Sequence, residues 1–132
     1  MAKTKILIID DDQDIRDSVQ AILEGRQYEV VTAAAREEGM DKIESEKPDL
    51  IILDVMLMTS WQGFEMAREI KKNPKYKEIP ILMMTGVKEV TGVDFKVSAG
   101  DPEWCPVQGF LDKPVKPDTL IAEIEKLLSE KE

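Results

Sequence analysis

The chain has 132 residues, with 27 acidic and 18 basic side chains, a net charge of −9 and no histidine. This length predicts one domain with a sizeable core, and the negative charge argues against a nucleic-acid backbone as the main partner. The lack of histidine excludes Ser-His-Asp and Cys-His catalysis and most zinc chemistry. No apolar run is long enough to cross a bilayer, no signal peptide is evident, and the single cysteine, Cys105, fits a reducing compartment. We therefore expect a cytoplasmic protein that does not contact membranes.

Strand patterns recur along the chain. Three continuously apolar segments predict strands over 5–10, 50–54 and 79–85, and a fourth strand is predicted over 109–113. Continuous apolar runs are typical of parallel strands that are buried on both faces. The segment 28–33 is shorter and more polar, which predicts a strand nearer the edge of the sheet.

Amphipathic helices are predicted between these strands. The first helix has an apolar stripe at Ile15, Val19, Ile22 and Leu23. The last helix begins at Pro117 and has a stripe at Leu120, Ile124, Leu127 and Leu128. Further helices are predicted over 36–45 and 64–72, with a marginal one at about 88–98. This alternation of strands and helices predicts an α/β fold with helices on both faces of a parallel sheet.

Polar residues follow the predicted strands at their carboxyl ends, where doubly wound sheets bind ligands. The residues at these ends are Asp10, Asp11 and Asp12, then Asp54, Thr85 and Lys113. Clustered carboxylates cannot all stay ionised unaided, and Mg²⁺ accepts carboxylate oxygens together with water and phosphate oxygens. The pattern therefore predicts a magnesium site suited to phosphoryl transfer onto an aspartate, with Asp12 as a helix N-cap.

Four segments that follow one another in the chain, IIDD, PDLIILDVM, ILMMTG and GFLDKPV, resemble the receiver domain of two-component response regulators, the CheY-like family. The resemblance covers nearly the whole chain. It implies a flavodoxin-like, doubly wound (βα)5 fold with a five-stranded parallel sheet in the order 2-1-3-4-5. It also implies a single receiver domain over 1–132 with its core at about 4–129. The segment 86–108, between the fourth and fifth strands, departs from the family pattern.

The resemblance implies a phosphoacceptor and a metal site. Asp54 is expected to accept the phosphoryl group. Mg²⁺ is expected to bind Asp11 directly, Asp10 largely through water, Asp54, and the backbone carbonyl of Met56. The metal would neutralise charge on the transferred group.

The resemblance also implies a switch. Thr85 and Lys113 are expected to bind oxygens of the phosphoryl group, and Phe110 is expected to turn in behind Thr85. The surface formed by the fourth helix, fifth strand and fifth helix would then change. The Lys113–Pro114 peptide bond is expected to be cis.

The implied partners are a sensor histidine kinase or a histidine phosphotransfer protein, and an unknown downstream protein. No direct contact with nucleic acid is expected, the chain is expected to be a monomer or a weak phosphorylation-dependent dimer, and it would not be a conventional turnover enzyme. Two other protein classes are alternatives: a haloacid dehalogenase-type phosphatase, whose motif Asp10 and Asp12 fit but Asp14 does not, and a flavodoxin-type cofactor binder. A receiver from a hybrid kinase or a multidomain regulator also remains open.

Overall fold

The computed structural model describes residues 3–54, 62–85, 109–112 and 116–131. The predictions that concern Met56, Lys113, Pro114 and the segment 86–108 lie outside these residues. Among the described helices, none is both long and apolar enough to span a membrane.

Five strands form one parallel sheet: β1 (Lys5–Ile9), β2 (Glu29–Ala33), β3 (Leu50–Asp54), β4 (Ile81–Thr85) and β5 (Gly109–Asp112). Their order is β2-β1-β3-β4-β5, which confirms the flavodoxin-like arrangement. The more polar β2 lies at an edge, as its composition predicted. Every residue of β3 is buried, as are Ile6–Ile9 of β1, because these strands lie inside the sheet with helices on both sides.

Four helices lie among the described residues: α1 (Gln13–Glu24), α2 (Arg36–Glu46), α3 (Gln62–Lys72) and α4 (Pro117–Lys131). The apolar stripes of the first and last helices are confirmed. Val19 and Leu23 of α1 are buried, while Ile15 and Ile22 are partly buried against the same cluster. Leu120, Ile124 and Leu127 of α4 are buried too, and Leu128 is partly buried.

The core consists of two apolar clusters, one on each face of the sheet. One cluster joins alternate residues of β1, β3 and β4 to α2 and α3, and includes Leu7, Ile51, Met83, Ile43 and Ile70. The other joins the intervening residues to α1 and α4. Alternation along each strand sends neighbouring side chains to opposite faces, so continuous apolar runs are needed to fill both clusters.

Candidate functional site

The site lies at the carboxyl edge of the sheet, where β1 and β3 end side by side. Ile9 pairs with Leu53 in the parallel register, so the next residues, Asp10 and Asp54, lie next to each other. Asp10 is 0% exposed and Asp54 is 5% exposed. They are the buried charged side chains among the described residues, in a core that is otherwise apolar. Burial at this edge is what makes these two carboxylates candidates for chemistry.

A third carboxylate completes the cluster. Asp10, Asp11 and Asp54 each place one carboxylate oxygen within 4.8 Å of the other two, and Asp11 is exposed. Three like charges at such distances, two of them removed from water, favour a bound cation. Hard divalent cations prefer oxygen ligands, and an exposed ligand such as Asp11 leaves the site open to water. The donor set therefore fits a metal such as Mg²⁺.

Hydrogen bonds donated by backbone amides hold the loop that follows β1. The Asp10 amide donates to the carbonyl oxygen of Ala33 at 3.1 Å, and Asp10 Oδ1 accepts from the amide of Asp12 at 2.9 Å. Asp12 Oδ1 accepts in turn from the amides of Asp14 at 2.9 Å and Ile15 at 3.4 Å, which confirms Asp12 as the N-cap of α1. The three consecutive aspartates therefore have two different roles. Asp12 caps the N-terminus of α1, while Asp10 and Asp11 form the carboxylate cluster with Asp54.

Arg16 also holds the loop that follows β1, a role that was not predicted from the sequence. Its Nη1 donates to the backbone carbonyl oxygen of Asp10 at 2.7 Å, which ties the first turn of α1 to the end of β1. A charged donor makes this bond stronger than one between neutral groups. A basic residue four positions after an aspartate N-cap was the signal that could have indicated this contact.

The structure places the backbone of two other predicted residues. Met84 of β4 pairs with Asp54, so Thr85 lies one residue further toward the carboxyl edge. Thr85 pairs with Asp112, the last residue of β5, and Phe110 pairs with Met83. These registers bring the ends of β1, β3, β4 and β5 to one edge. Lys113 follows Asp112 in the chain, and it lies outside the described residues together with Met56 and Pro114.

This geometry defines a class of protein: a doubly wound α/β domain with a buried aspartate beside two further carboxylates at the carboxyl edge of its sheet. A carboxylate in such a position can act as a nucleophile toward a phosphoryl group when a cation offsets the charge. Comparison with known proteins identifies the family. The profile described as "Response regulator receiver domain" matches residues 6–125, and the chain belongs to this family.

Named proteins similar in sequence to this chain support the same family assignment. The alkaline phosphatase synthesis transcriptional regulatory protein PhoP of Bacillus subtilis is 34% identical over 128 residues, covering 97% of this chain and 50% of PhoP. The phosphate regulon transcriptional regulatory protein PhoB of Pseudomonas aeruginosa is 33% identical over 132 residues, covering 97% of this chain and 53% of PhoB. The chain therefore spans about half the length of these relatives.

Solved structures share the fold. The chemotaxis protein CheY4 of Vibrio cholerae superposes with a TM-score of 0.80 at 33% identity, over 96% of this chain and 99% of CheY4. A CheY-like receiver domain protein from Methanospirillum hungatei gives a TM-score of 0.78 at 31% identity, over 98% and 97% of the two chains. The chain is thus a receiver domain of the kind used in two-component, phosphorylation-dependent signalling. The match favours this class over the phosphatase and the flavodoxin-type binder considered from the sequence.

Proposed function

We propose that Asp54 accepts a phosphoryl group from the histidine of a sensor kinase or of a histidine phosphotransfer protein. The observation that carries the proposal is the position of Asp54, which ends β3, is 5% exposed, and lies within 4.8 Å of carboxylate oxygens of Asp10 and Asp11. In this role an Asp54 oxygen attacks phosphorus, the P–N bond to the donor histidine breaks, and the phosphoaspartate later hydrolyses. The domain is a signalling switch, with no conventional catalytic turnover of a substrate.

The proposed cofactor is Mg²⁺, held by Asp10, Asp11, Asp54 and the backbone carbonyl of Met56. When bound, the ion supplies positive charge that neutralises the phosphoryl oxygens. The chain's own contribution is orientation. The bond from the Asp12 amide to Asp10 Oδ1 and the bond from Arg16 to the Asp10 carbonyl fix the acidic loop before any ion binds.

The proposed switch uses residues at the same edge. Thr85 and Lys113 bind the oxygens of the new phosphoryl group, which carries a charge of about −1.5 to −2. Phe110 moves behind Thr85, and the Lys113–Pro114 peptide bond is cis. The pairing of Thr85 with Asp112 supports this assignment, because Lys113 is the next residue in the chain after Asp112. The output surface would comprise the predicted 88–98 helix, β5 and α4.

The wider context is proposed on the same basis. Residues 1–132 form one receiver domain with its core at about 4–129 and an atypical segment at 86–108. We place it in the cytoplasm as a monomer or a weak phosphorylation-dependent dimer, acting on a downstream protein. PhoP and PhoB are named transcriptional regulators, and the chain spans about half of each, so the absence of nucleic-acid contact is proposed for these 132 residues alone. A place within a hybrid kinase or multidomain regulator fits equally.

Replacing Asp54 with asparagine tests the phosphoacceptor. With acetyl phosphate and Mg²⁺, the wild-type chain should gain one phosphoryl group by intact mass, while Asp54→Asn should lose labelling by about 100-fold or more because an amide is a poor nucleophile. The matched control is Asp14→Asn, which removes an exposed carboxylate in the first turn of α1 and should label normally. Equal labelling of Asp54→Asn and the wild type would overturn the assignment.

Removing a metal ligand tests the cofactor. Ligand binding to the native state raises stability by RT ln(1 + [L]/Kd), so Mg²⁺ at about ten times its Kd should add about 1.4 kcal/mol to the free energy of unfolding. Asp11→Ala should lose most of this gain, whereas Asp14→Ala should keep it. Thermal melts with Mg²⁺ and with EDTA measure the difference. Equal stabilisation of Asp11→Ala and the wild type would contradict the proposed ligand set.

A further inference from the structure

Basic residues are concentrated at the C-terminal end of α3 and in the turn that follows it. Residues 68–77 contain five basic residues and one acid, although the whole chain has 18 basic residues and 27 acids. Four of these basic side chains are exposed and form what we call the basic surface: Arg68, Lys72, Lys75 and Lys77. Within the part of the chain that the structure describes, none of the four pairs with an acid. The basic surface therefore has positive charge available for another molecule.

Hydrogen bonds fix the turn between α3 and β4 that carries half of the basic surface. Asn73 Oδ1 accepts from the amide of Lys75 at 2.9 Å, and the Asn73 carbonyl oxygen accepts from the amide of Lys77 at 2.9 Å. The Lys71 ammonium donates to the carbonyl oxygens of Lys77 at 3.1 Å and Ile79 at 2.5 Å. A turn that is already ordered loses little conformational entropy when it binds a partner, which favours affinity.

A cleft of about 690 Å³ opens beside this turn, between the turn and the C-terminal end of α2. Apolar residues from both sides line it: Ile43, Pro48, Tyr76 and Ile79. Tyr76 and Ile79 are only partly buried against the core, so they present apolar surface to the cleft. Pockets of this size bind ligands in many proteins, and the cleft has room for a large apolar side chain of a partner.

The charges around the cleft determine which part of a ligand can enter it. Three acidic residues line the cleft together with two lysines: Glu44, Asp49 and Glu78, with Lys47 and Lys75. The cleft itself therefore has no excess of positive charge, and an anionic group would be disfavoured inside it. Lys75 also belongs to the basic surface, so the two features adjoin. A ligand suits both when an apolar group enters the cleft and acidic groups lie on the basic surface.

We propose that the basic surface and the adjoining cleft dock an acidic segment of a partner protein. Acidic side chains of the segment contact the basic surface, and one large apolar side chain occupies the cleft. Nucleic acids and anionic membranes carry charge over longer distances and are repelled by a chain of net charge −9, whereas a short acidic segment meets mainly the local positive charge. The docking surface lies at the end of the sheet opposite Asp54, so it does not depend on the proposed phosphorylation.

Peptide selection tests the chemistry of the partner. The folded chain selects binders from a displayed library of random 12-residue peptides at low salt, and the enriched peptides should combine several Asp or Glu residues with a large apolar residue. Fluorescence anisotropy then measures the Kd of an enriched peptide. Replacing its apolar residue with serine should raise the Kd at least about fivefold, and high salt should raise it at least about tenfold. Enrichment of no acidic peptides would overturn the proposal.

Charge reversal on the protein tests the location. Lys72→Glu/Lys75→Glu should raise the peptide Kd at least about tenfold, because attraction becomes repulsion. The matched control, Lys116→Glu/Lys126→Glu, makes the same charge change at exposed residues on the opposite face of the sheet and should bind within about twofold of the wild type, as should Asp54→Asn. Circular dichroism melts check that each variant folds. Equal weakening by both double variants would mean that net charge alone matters, and tighter binding of single-stranded DNA or anionic lipid vesicles than of the peptides would assign the surface to those partners. Either result would overturn the proposal.

Discussion

The two edges of the sheet treat charge in opposite ways. At the carboxyl edge, Asp10, Asp11 and Asp54 bring oxygens of like charge within 4.8 Å of one another. At the amino edge, Lys5 Nζ lies between two carboxylates, 3.0 Å from Glu46 and 3.3 Å from Glu29. These neighbours raise the pKa of Lys5, chiefly through the hydrogen bond to Glu46.

This difference in charge indicates that the two edges of the sheet have different roles. Opposite charges at the amino edge join β1, β2 and α2, and the Lys5 amide donates a 2.8 Å hydrogen bond to the carboxylate of Asp49, the residue before β3. At the amino edge, acidic and basic side chains pair with each other, and these pairs stabilise the fold. The carboxyl edge brings three carboxylates together next to the core, an arrangement that a cation, or a phosphoryl group with its cation, would stabilise.

Among the substitutions that test this difference between the two edges, Asp10→Asn should change the free energy of unfolding most. Asparagine keeps the Oδ1 acceptor for the Asp12 amide but removes one of the clustered charges. In EDTA the variant should be more stable than the wild type by about 1–2 kcal/mol, because like-charge repulsion falls in a buried place. Urea unfolding measures the change. A less stable variant would show that the carboxylate cluster does not strain the metal-free protein.

The matched change at the amino edge is Glu46→Gln. It removes a carboxylate that faces a cation, so the free energy of unfolding should fall, by less than the gain from Asp10→Asn because the pair is partly exposed. A gain in stability from Glu46→Gln would show that the ion pairs at the amino edge do not stabilise the fold, which would contradict the proposed difference between the two edges.

Much of the fold followed from the sequence because burial on both faces leaves a plain signal. The continuous apolar runs predicted β1, β3 and β4, and the polar character of 28–33 predicted an edge strand. Element ends were less accurate: β4 begins at Ile81, not at 79, and α3 begins at Gln62, not at 64. Terminal residues of an element share the composition of its interior, so periodicity alone does not mark where hydrogen bonding begins.

For the site, the position of each acid at a strand end was enough to bring Asp10, Asp11 and Asp54 together. The strand order itself came from the resemblance to receiver domains, since apolar runs do not encode which strands are neighbours. The contacts of the Lys71 side chain with the backbone carbonyl oxygens of Lys77 and Ile79 could not be predicted. Such bonds depend on where two loops meet in space, which local patterns do not record.

A pH titration should show the next effect, at Lys71. Its folded-state pKa of about 8 lies below the ordinary lysine value of 10.5, so between these values the unfolded chain binds more protons than the folded chain. Stability should therefore rise with pH across this window, whereas below it the destabilising effect of Lys71 is fully present and does not change with pH. Other groups titrate there too, so the informative quantity is the difference in unfolding free energy between the wild type and Lys71→Arg. A difference that stays flat from pH 8 to pH 10.5 would contradict the lowered pKa.

The smallest expected effect concerns Lys47, which ends α2 at the amino edge with a φ of 50° and donates its amide to Ile43 O at 3.1 Å. A side chain in this left-handed conformation costs roughly 1–2 kcal/mol, whereas glycine adopts it freely but loses more entropy on folding. Lys47→Gly keeps the amide bond and should raise the free energy of unfolding by about 0.5 kcal/mol. Lys42→Gly, the same replacement inside α2, should lower it by about 1 kcal/mol. Equal losses at both positions would mean that the C-terminal end of α2 is held by the lysine side chain, and the amino edge would then depend on more than its ion pairs.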